Sequence, residues 1–598
     1  MGIVLGAGGT AWSPVYADRA ETKAEIQQLP PGSVSLLPEG ELAGFSVGEN
    51  PEFVQSERVS VSGQPFREAF RITTKKRPPN PWTVQLTATP TGAVQSGDTM
   101  LLSFYVRTVK GQAETGEART AVVFEKGGEP YTKSLDAPVN IPAKGWKRYD
   151  IPFKAVENLP AGEARVHFRL GVNPQTFEVG GISLRKWGPE VALSALPRTR
   201  VTYAGMEENA AWRKAAAARI EKIRKGDLKV RVVDATGKPI PEVAVRVRMK
   251  QHAFPFGTAV ATGALVGTGP DNEKYRQTVA ELYNWVVIEN NLKWPQWEQN
   301  REQAIQAVEW LNNKNIKVRG HNLVWPSWQN LPDDLEKLKD DPKKLDARIR
   351  SHIVDITAAM RGKLVEWDVI NETFTNHDLM DILGQDEMVS WFKLAKATDP
   401  RPLLYLNDYP PLDGSDRDNP HLNHFFNTIQ FLQKKGAPIE GIGFQGHFGG
   451  NVIPPERILS GLDRFSTFNL PIMITEFDMN TQDEQLQAAY MRDFMTACFS
   501  HPSCAGIMMW GFWEGRHWMP DAALYRRDWT IKPHGQVWLD LVKKQWWSNA
   551  DGKTNRSGEF AMRGFLGNYE IVVERNGKTE IVSTPLTSIG TTVNIVMN

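Results

Sequence analysis

The chain has 598 residues, 41% apolar and 23% charged, enough apolar content for sizeable cores and too much for general disorder. With 70 Lys+Arg against 69 Asp+Glu the net charge is +1, which leaves no electrostatic footprint for a nucleic-acid partner. No apolar run reaches the roughly 18 residues that a membrane span needs.

At about 150 residues per domain, three or four domains are expected. Residues 1–35 read as leader and linker. MGIVLGAGGTAWSPVYAD has a cleavage-like point after Ala17 but lacks a positive n-region, so a truncated export signal and a disordered tail are both open. From 36 to 190 short alternating stretches recur, among them TVQLTATP, TMLLSFYVRTV and ARVHFRL, with Gly, Pro and Asn between them. That spacing predicts an antiparallel β-sandwich. Its Trp82, Tyr105, Trp146, Phe177 and Trp187 are candidates for sugar stacking, though core packing is the more ordinary fate of such rings.

Residues 191–226 carry EENAAWRKAAAARIEKIRK followed by Gly226, a helix with a basic end, read as a linker. KVRVVDATGKPIPEVAVRVRM then predicts two strands around a turn. The far C-terminus has the same character, and two strands alone bury no core. Segments 227–252 and 548–598 are therefore expected to pack as one small β domain, with two independent appendages as the alternative.

Between 253 and 547 the pattern becomes α/β. Eight short apolar runs (FPFGTAV, YNWVVIEN, IKVRGHN, VEWDVIN, PLLYLND, EGIGFQG, PIMITEF and AGIMMWG) alternate with amphipathic stretches. Eight such units fit a (β/α)8 TIM barrel of α/β class. A doubly wound sheet is the competitor, but the segment's G-x-G-x-x-G string, GIGFQG, is itself one of the strand runs, and no such motif follows a strand.

In a parallel barrel, reacting groups project from the C-terminal strand ends. Those ends are polar here: Glu289 and Asn290, His321 and Asn322, Asn371 and Glu372, Asn407 and Asp408, Gln445 and His447, Glu476 and Asp478, then Trp510. Singly, each reads as a loop residue or a cap; together they describe a lined mouth. Glu372 and Glu476 follow the fourth and seventh strands, across the mouth from one another. Two carboxyls about 5–5.5 Å apart suit retaining glycoside hydrolysis, one protonated and one ionised. Rival chemistries lack their motifs in the α/β segment: there is no H-E-x-x-H and no Walker A loop, and the one G-x-S-x-G string, GFSVG at 44–48, falls in the predicted sandwich and not on a strand-to-helix turn. No cofactor and no catalytic metal are expected. Cys498 and Cys504, the two cysteines, are too few for a disulfide framework.

ENNLKW, RGHNLVW, WDVINETF, YLNDY, GIGFQGHF and ITEFDMN, in this chain order, together resemble glycoside hydrolase family 10, the endo-β-1,4-xylanases. WGFWEGRHW and the flanking β segments look like the plant-type branch, and the sandwich is similar in architecture to xylan-binding modules. The resemblance implies Glu372 as general acid/base and Glu476 as nucleophile. It implies that Asn371 meets the sugar 2-hydroxyl and that His447 and Gln445 hold the site. Glu289, Asn290, Lys293, His321 and Trp325 would bind sugar on the non-reducing side, with Trp510 and Trp518 as aromatic platform. It also implies a bridge between Cys498 and Cys504 in some members, two free thiols being the alternative. Pro326 after Trp325, Phe477 after Glu476 and the loop after Trp510 depart from the common pattern, which touches the substrate more than the reaction. The expectation is a secreted or cell-surface monomer acting on a xylan-type polysaccharide, with neither nucleic acid nor membrane as partner. Another β-glycan as substrate, and a non-catalytic glycan-binding protein, are the alternatives.

Overall fold

The computed structural model describes residues 29–38, 42–48, 50–111, 118–142, 145–414, 419–449 and 452–597. The leader expected at the N-terminus lies outside them. The chain forms two compact units, Met1–Arg200 and Val201–Asn598.

The first unit is a sandwich of two antiparallel sheets. One orders Val54–Ser60, Glu68–Thr74, Gln175–Trp187, Thr99–Lys110 and Lys147–Lys154; the other orders Ser46–Val47, Gln85–Ala88, Ala164–Arg169, Ala118–Lys126 and Lys133–Ile141. Alternation makes the core. Met100, Leu102, Phe104 and Val106 point inward from one strand and meet Val122, Phe124, Val166 and Phe168. Of the five aromatic candidates, Phe177 and Trp187 are buried, whereas Trp82, Tyr105 and Trp146 reach the surface.

The second unit is built around eight parallel strands. They are β1 (Phe256–Val260), β2 (Trp285–Ile288), β3 (Lys317–Val324), β4 (Glu366–Asn371), β5 (Leu403–Asp408), β6 (Gly441–Phe444), β7 (Ile472–Met479) and β8 (Cys504–Met509). Each pairs with the next, and β8 pairs with β1, so the sheet closes into the expected barrel. Helices cover the outside and bury a second face of each strand, which is why the strands read as continuous apolar runs. Asp341, Asn419 and Asp483 cap three of these helices by accepting an N–H from the third residue onward. Gly441 on β6 leaves room for the Tyr405 ring, which would sit 2.2 Å from a Cβ there.

The segments flanking the barrel pair with one another. Lys225–Val233 runs antiparallel to Glu559–Phe565 and parallel to Thr591–Val596. Ala244–His252 lies between Asn549–Lys553 and Gly567–Arg575. Their inward Val230, Val232, Val245, Val247, Ile571 and Val573 belong to the barrel's own core cluster. The helix Ala211–Ile223 docks on the barrel helix Glu484–Ser500, where Trp212 and Ala216 meet Ala497 and Arg213 pairs with buried Asp493. Cys498 and Cys504 are buried and unbridged. Among the described residues no helix is long and apolar enough to cross a membrane.

Candidate active site

The side chains gather where the sequence reading places them, at the C-terminal ends of the strands. Burial of all six residues of β4 and all eight of β7 fixes the bases from which the two glutamates project.

Glu372 is the first residue past β4, and its φ is +59°. A left-handed β-unbranched residue of this kind costs on the order of 1–3 kcal/mol, and such strain is held only where neighbours over-determine it. Here its N–H donates to the Asn407 carbonyl at 2.9 Å and its carbonyl accepts from Asn376 N–H at 3.0 Å. Its carboxyl Oε1 accepts from Gln445 Nε2 at 2.8 Å; Oε2 accepts from Trp325 Nε1 at 3.2 Å and from Asn376 Nδ2 at 3.1 Å. Burial pushes its pKa up, and the negative charges of Glu476 and Asp408 add to that, against the Gln445 hydrogen bond and His321.

Glu476 sits within β7 and is buried. Asn407 Nδ2 donates to its Oε1 at 2.8 Å, and His447 Nε2 donates to Oε2 at 3.1 Å. Its pKa is lowered: burial would raise it, but the His447 hydrogen bond, the nearby imidazoles of His321 and His447, and the Asn407 amide together outweigh that. Dehydration likewise opposes a charge on His447, yet Asp478 and Glu476 bring its pKa up to about 10. His447 Nδ1 donates to Asp478 Oδ1 at 2.9 Å, and Trp518 Nε1 holds the other Asp478 oxygen at 2.7 Å.

An amide ladder ties the two carboxyls together. Asn407 Nδ2, the donor to Glu476, also donates to Asn371 Oδ1 at 2.9 Å, and Thr475 Oγ1 donates to Asn407 Oδ1 at 2.7 Å. Gln445 Nε2, the donor to Glu372, lies 3.5 Å from the same Asn371 oxygen. Asn371 is buried, and its Nδ2 has no protein partner. Beneath the mouth, Arg319 is fully buried and pairs with Glu366 at 2.7 Å and with Asp368. Asp368 in turn accepts from His321 Nδ1 at 2.9 Å, and His321 lies 4.0 Å from Glu476 Oε1.

The remaining predicted residues fall around this centre. Lys293 Nζ donates to Asn290 Oδ1 at 2.9 Å and lies 5.4 Å over the Trp325 ring. Burial lowers the Lys293 pKa against the pull of Glu476, Glu289 and Glu372, while burial raises that of Glu289. Trp510 is buried and packs edge-on against His321 at 5.2 Å, so it is floor rather than exposed platform. Trp518 is 49% exposed and leans on His447 at 5.0 Å, leaving a ring face available. Phe374 and Tyr409, both exposed, flank buried His421, with Phe374 stacked on it at 4.4 Å.

Sequence reasoning gave no role to Asn407, Asp478, Asp368 or Asn376. Asn407 and Asp478 were visible as polar strand ends. Asp368 lies inside an apolar run on β4, and Asn376 lies in the loop beyond it; neither carries a signal of its own.

The family model for glycosyl hydrolase family 10 matches residues 245–540. The anti-sigma-I factor RsgI6 of Acetivibrio thermocellus is 33% identical over 389 residues, 64% of this chain and 49% of that protein. Endo-1,4-beta-xylanase 1 of Arabidopsis thaliana is 31% identical over 370 residues, 61% of this chain and 38% of its own length. Endo-1,4-beta-xylanase B of Thermotoga neapolitana is 30% identical over 269 residues, 42% of this chain and 76% of the relative. The chain thus spans half or less of the first two relatives and about three quarters of the third.

Proposed function

This chain belongs to glycosyl hydrolase family 10, and on that premise we propose that it cuts β-1,4-xylan backbones internally, with retention, by double displacement. The observation that carries this reading is the opposite bias of two carboxyls joined by one amide ladder: Glu372 is pushed toward the neutral acid and Glu476 toward the anion.

In the first step a Glu476 oxygen attacks the anomeric carbon. The bond from that carbon to the leaving oxygen breaks, and that oxygen takes the Glu372 proton. A glycosyl ester on Glu476 and a shortened chain result. In the second step the Glu372 carboxylate takes a proton from water, whose oxygen displaces Glu476 from the anomeric carbon. Both glutamates return to their starting states and the sugar leaves as the β anomer.

The neighbours serve these steps. Asn371 Nδ2, buried and without a protein partner, suits a sugar 2-hydroxyl, a contact that strengthens as positive charge develops on the ring. His447 and Asn407 hold the nucleophile's oxygens, and Gln445 holds the acid. Glu289, Asn290, Lys293, His321 and Trp325 present polar groups and one indole to the sugars before the cut. Trp518 offers a face over the floor formed by Trp510. A polymer of this size is met outside the cell, so the proposed setting is secreted or cell-surface, with the chain acting as a monomer and the sandwich unit as a glycan-binding accessory.

Chain-length analysis of products from xylan, arabinoxylan and carboxymethyl cellulose tests the substrate. Mid-chain cuts in xylan are expected; an uncleaved xylan rejects the reading. NMR of the first-formed sugar should show the β anomer, and an α anomer excludes double displacement.

A further inference from the structure

The loop after β4 is stitched to the loop after β3 by three hydrogen bonds. Trp328 N–H donates to Asp378 Oδ2 at 2.9 Å, Leu379 N–H to the Pro326 carbonyl at 3.3 Å, and Asn330 Nδ2 to Asn376 Oδ1 at 3.1 Å. The last bond has a chemical consequence. A primary amide whose oxygen is taken from one side presents its NH2 to the other. The Asn376 NH2 faces Glu372, with Nδ2 at 3.1 Å from Oε2, 3.3 Å from the backbone carbonyl of the same residue and 3.0 Å from Thr375 Oγ1. Asn376 is 4% exposed, so this donor has no water to compete for it.

We propose that Asn376, oriented by Asn330, is a positioning residue that clamps Oε2 of Glu372 so that the carboxyl meets the leaving oxygen in one fixed direction. The inference rests on the acid/base reading of Glu372 and adds the device that aims it. Trp325 Nε1, the other donor to Oε2, is longer at 3.2 Å, and Gln445 occupies Oε1. Asn376 is therefore the shorter of the two donors to Oε2. Because an N–H donor stabilises the carboxylate over the acid, it also sets where Glu372 loses its proton. The other groups acting on Glu372 are Glu476 from β7, Asp408 from β5, His321 from β3, Lys293 after β2 and Tyr409 after β5. Of these, Tyr409 shares a partner with Asn376, since both hydrogen-bond to Thr375 Oγ1 at 3.0 Å.

The test uses the full chain and two substrates, xylohexaose and a 2,4-dinitrophenyl β-xylobioside, whose leaving group departs without a proton. In Asn376→Ala the alkaline limb of kcat/KM on xylohexaose should move up by about one pH unit, since one charge-assisted hydrogen bond is lost. At pH 6 its kcat/KM should fall about 10-fold on xylohexaose and change little on the dinitrophenyl substrate. Asn330→Ala should move the same limb in the same direction by less. Asn376→Asp should move it further, because a carboxylate then replaces the donor. The two latter variants carry the test if Asn376→Ala does not fold. An unshifted limb, or equal losses on both substrates, overturns the proposal. Glu372→Gln separates the two claims: if it keeps full activity on xylohexaose, the acid assignment fails, whatever Asn376 does.

Discussion

The ends of β4 and β7 hold the same side chain in two different solvents. Glu372 is held by neutral N–H groups from Gln445, Trp325 and Asn376, with Glu476 and Asp408 close enough to disfavour its charge. Glu476 is the more buried of the two, yet His447 lies against it, charged through its own pairing with Asp478. The comparison teaches that burial alone does not decide protonation here. What decides it is whether a cation comes with the carboxyl into the interior. Breaking the β7 side should cost most. In Glu476→Ala no atom remains to take the anomeric carbon, and kcat on xylan should fall on the order of 10^5-fold or more. A loss of less than 100-fold would move the nucleophile elsewhere.

Breaking the β4 side should cost less and in a substrate-dependent way. Glu372→Gln removes proton donation, worth about 10²–10⁴-fold on a sugar leaving group. On a dinitrophenyl xyloside the first step should survive and the second slow, so a burst of dinitrophenol should precede a slower steady state. Equal loss on both substrates would contradict an acid role.

Much of this contrast is legible in the chain. WDVIN and IMIT are short, mainly apolar runs buried along their whole length, and each delivers the glutamate that follows to the mouth. The eight-fold alternation likewise predicts the closed barrel. The partners that tune the glutamates are harder to read. Asn376 is four residues past Glu372 in a loop with no period, and only the left-handed turn at Glu372 brings it back. Asp368 looks like a lapse in the WDVIN pattern until Arg319 and His321 of β3 are seen beside it. The two flanking β segments are similar in sequence character, which predicts that they pack together, but which strand pairs with which, and their sharing of the barrel's core, are facts of three dimensions. Trp510 reads as a platform because it is a tryptophan at a strand end; packing makes it floor.

A subtler change sharpens the comparison on the β7 side. His447→Gln keeps a donor of similar reach but removes the positive charge. Glu476 then loses what offsets its burial, its pKa rises, and the acid limb of kcat/KM should move to higher pH. With the limb comes a loss of about 10²-fold near neutrality, the usual scale for one preorganised electrostatic partner. Asp478→Asn should do the same more weakly, since it acts through the imidazole.

The smallest expected effect is on stability, and its sign is the sharpest form of the contrast. A carboxyl whose folded pKa is raised binds protons more tightly folded than unfolded, so it weakens the fold as pH climbs past its unfolded value. Glu372 is that case, and Glu372→Gln should raise the melting temperature at pH 8 by a margin that shrinks toward pH 4. A carboxyl whose folded pKa is depressed stabilises the fold above its unfolded value and loses that contribution as pH falls through its folded one. Glu476 is that case, so Glu476→Gln should lower the melting temperature at pH 8 and converge with the parent in acid. His447 adds a third window: raised to about 10, its contribution is complete below its unfolded value near 6.5 and disappears as pH rises through about 10. Thermal unfolding of the parent and the two glutamine variants from pH 4 to 10.5 reads all three. Opposite signs for the two glutamates at pH 8 follow only if their surroundings differ in charge; two shifts of the same sign would mean that burial governs both.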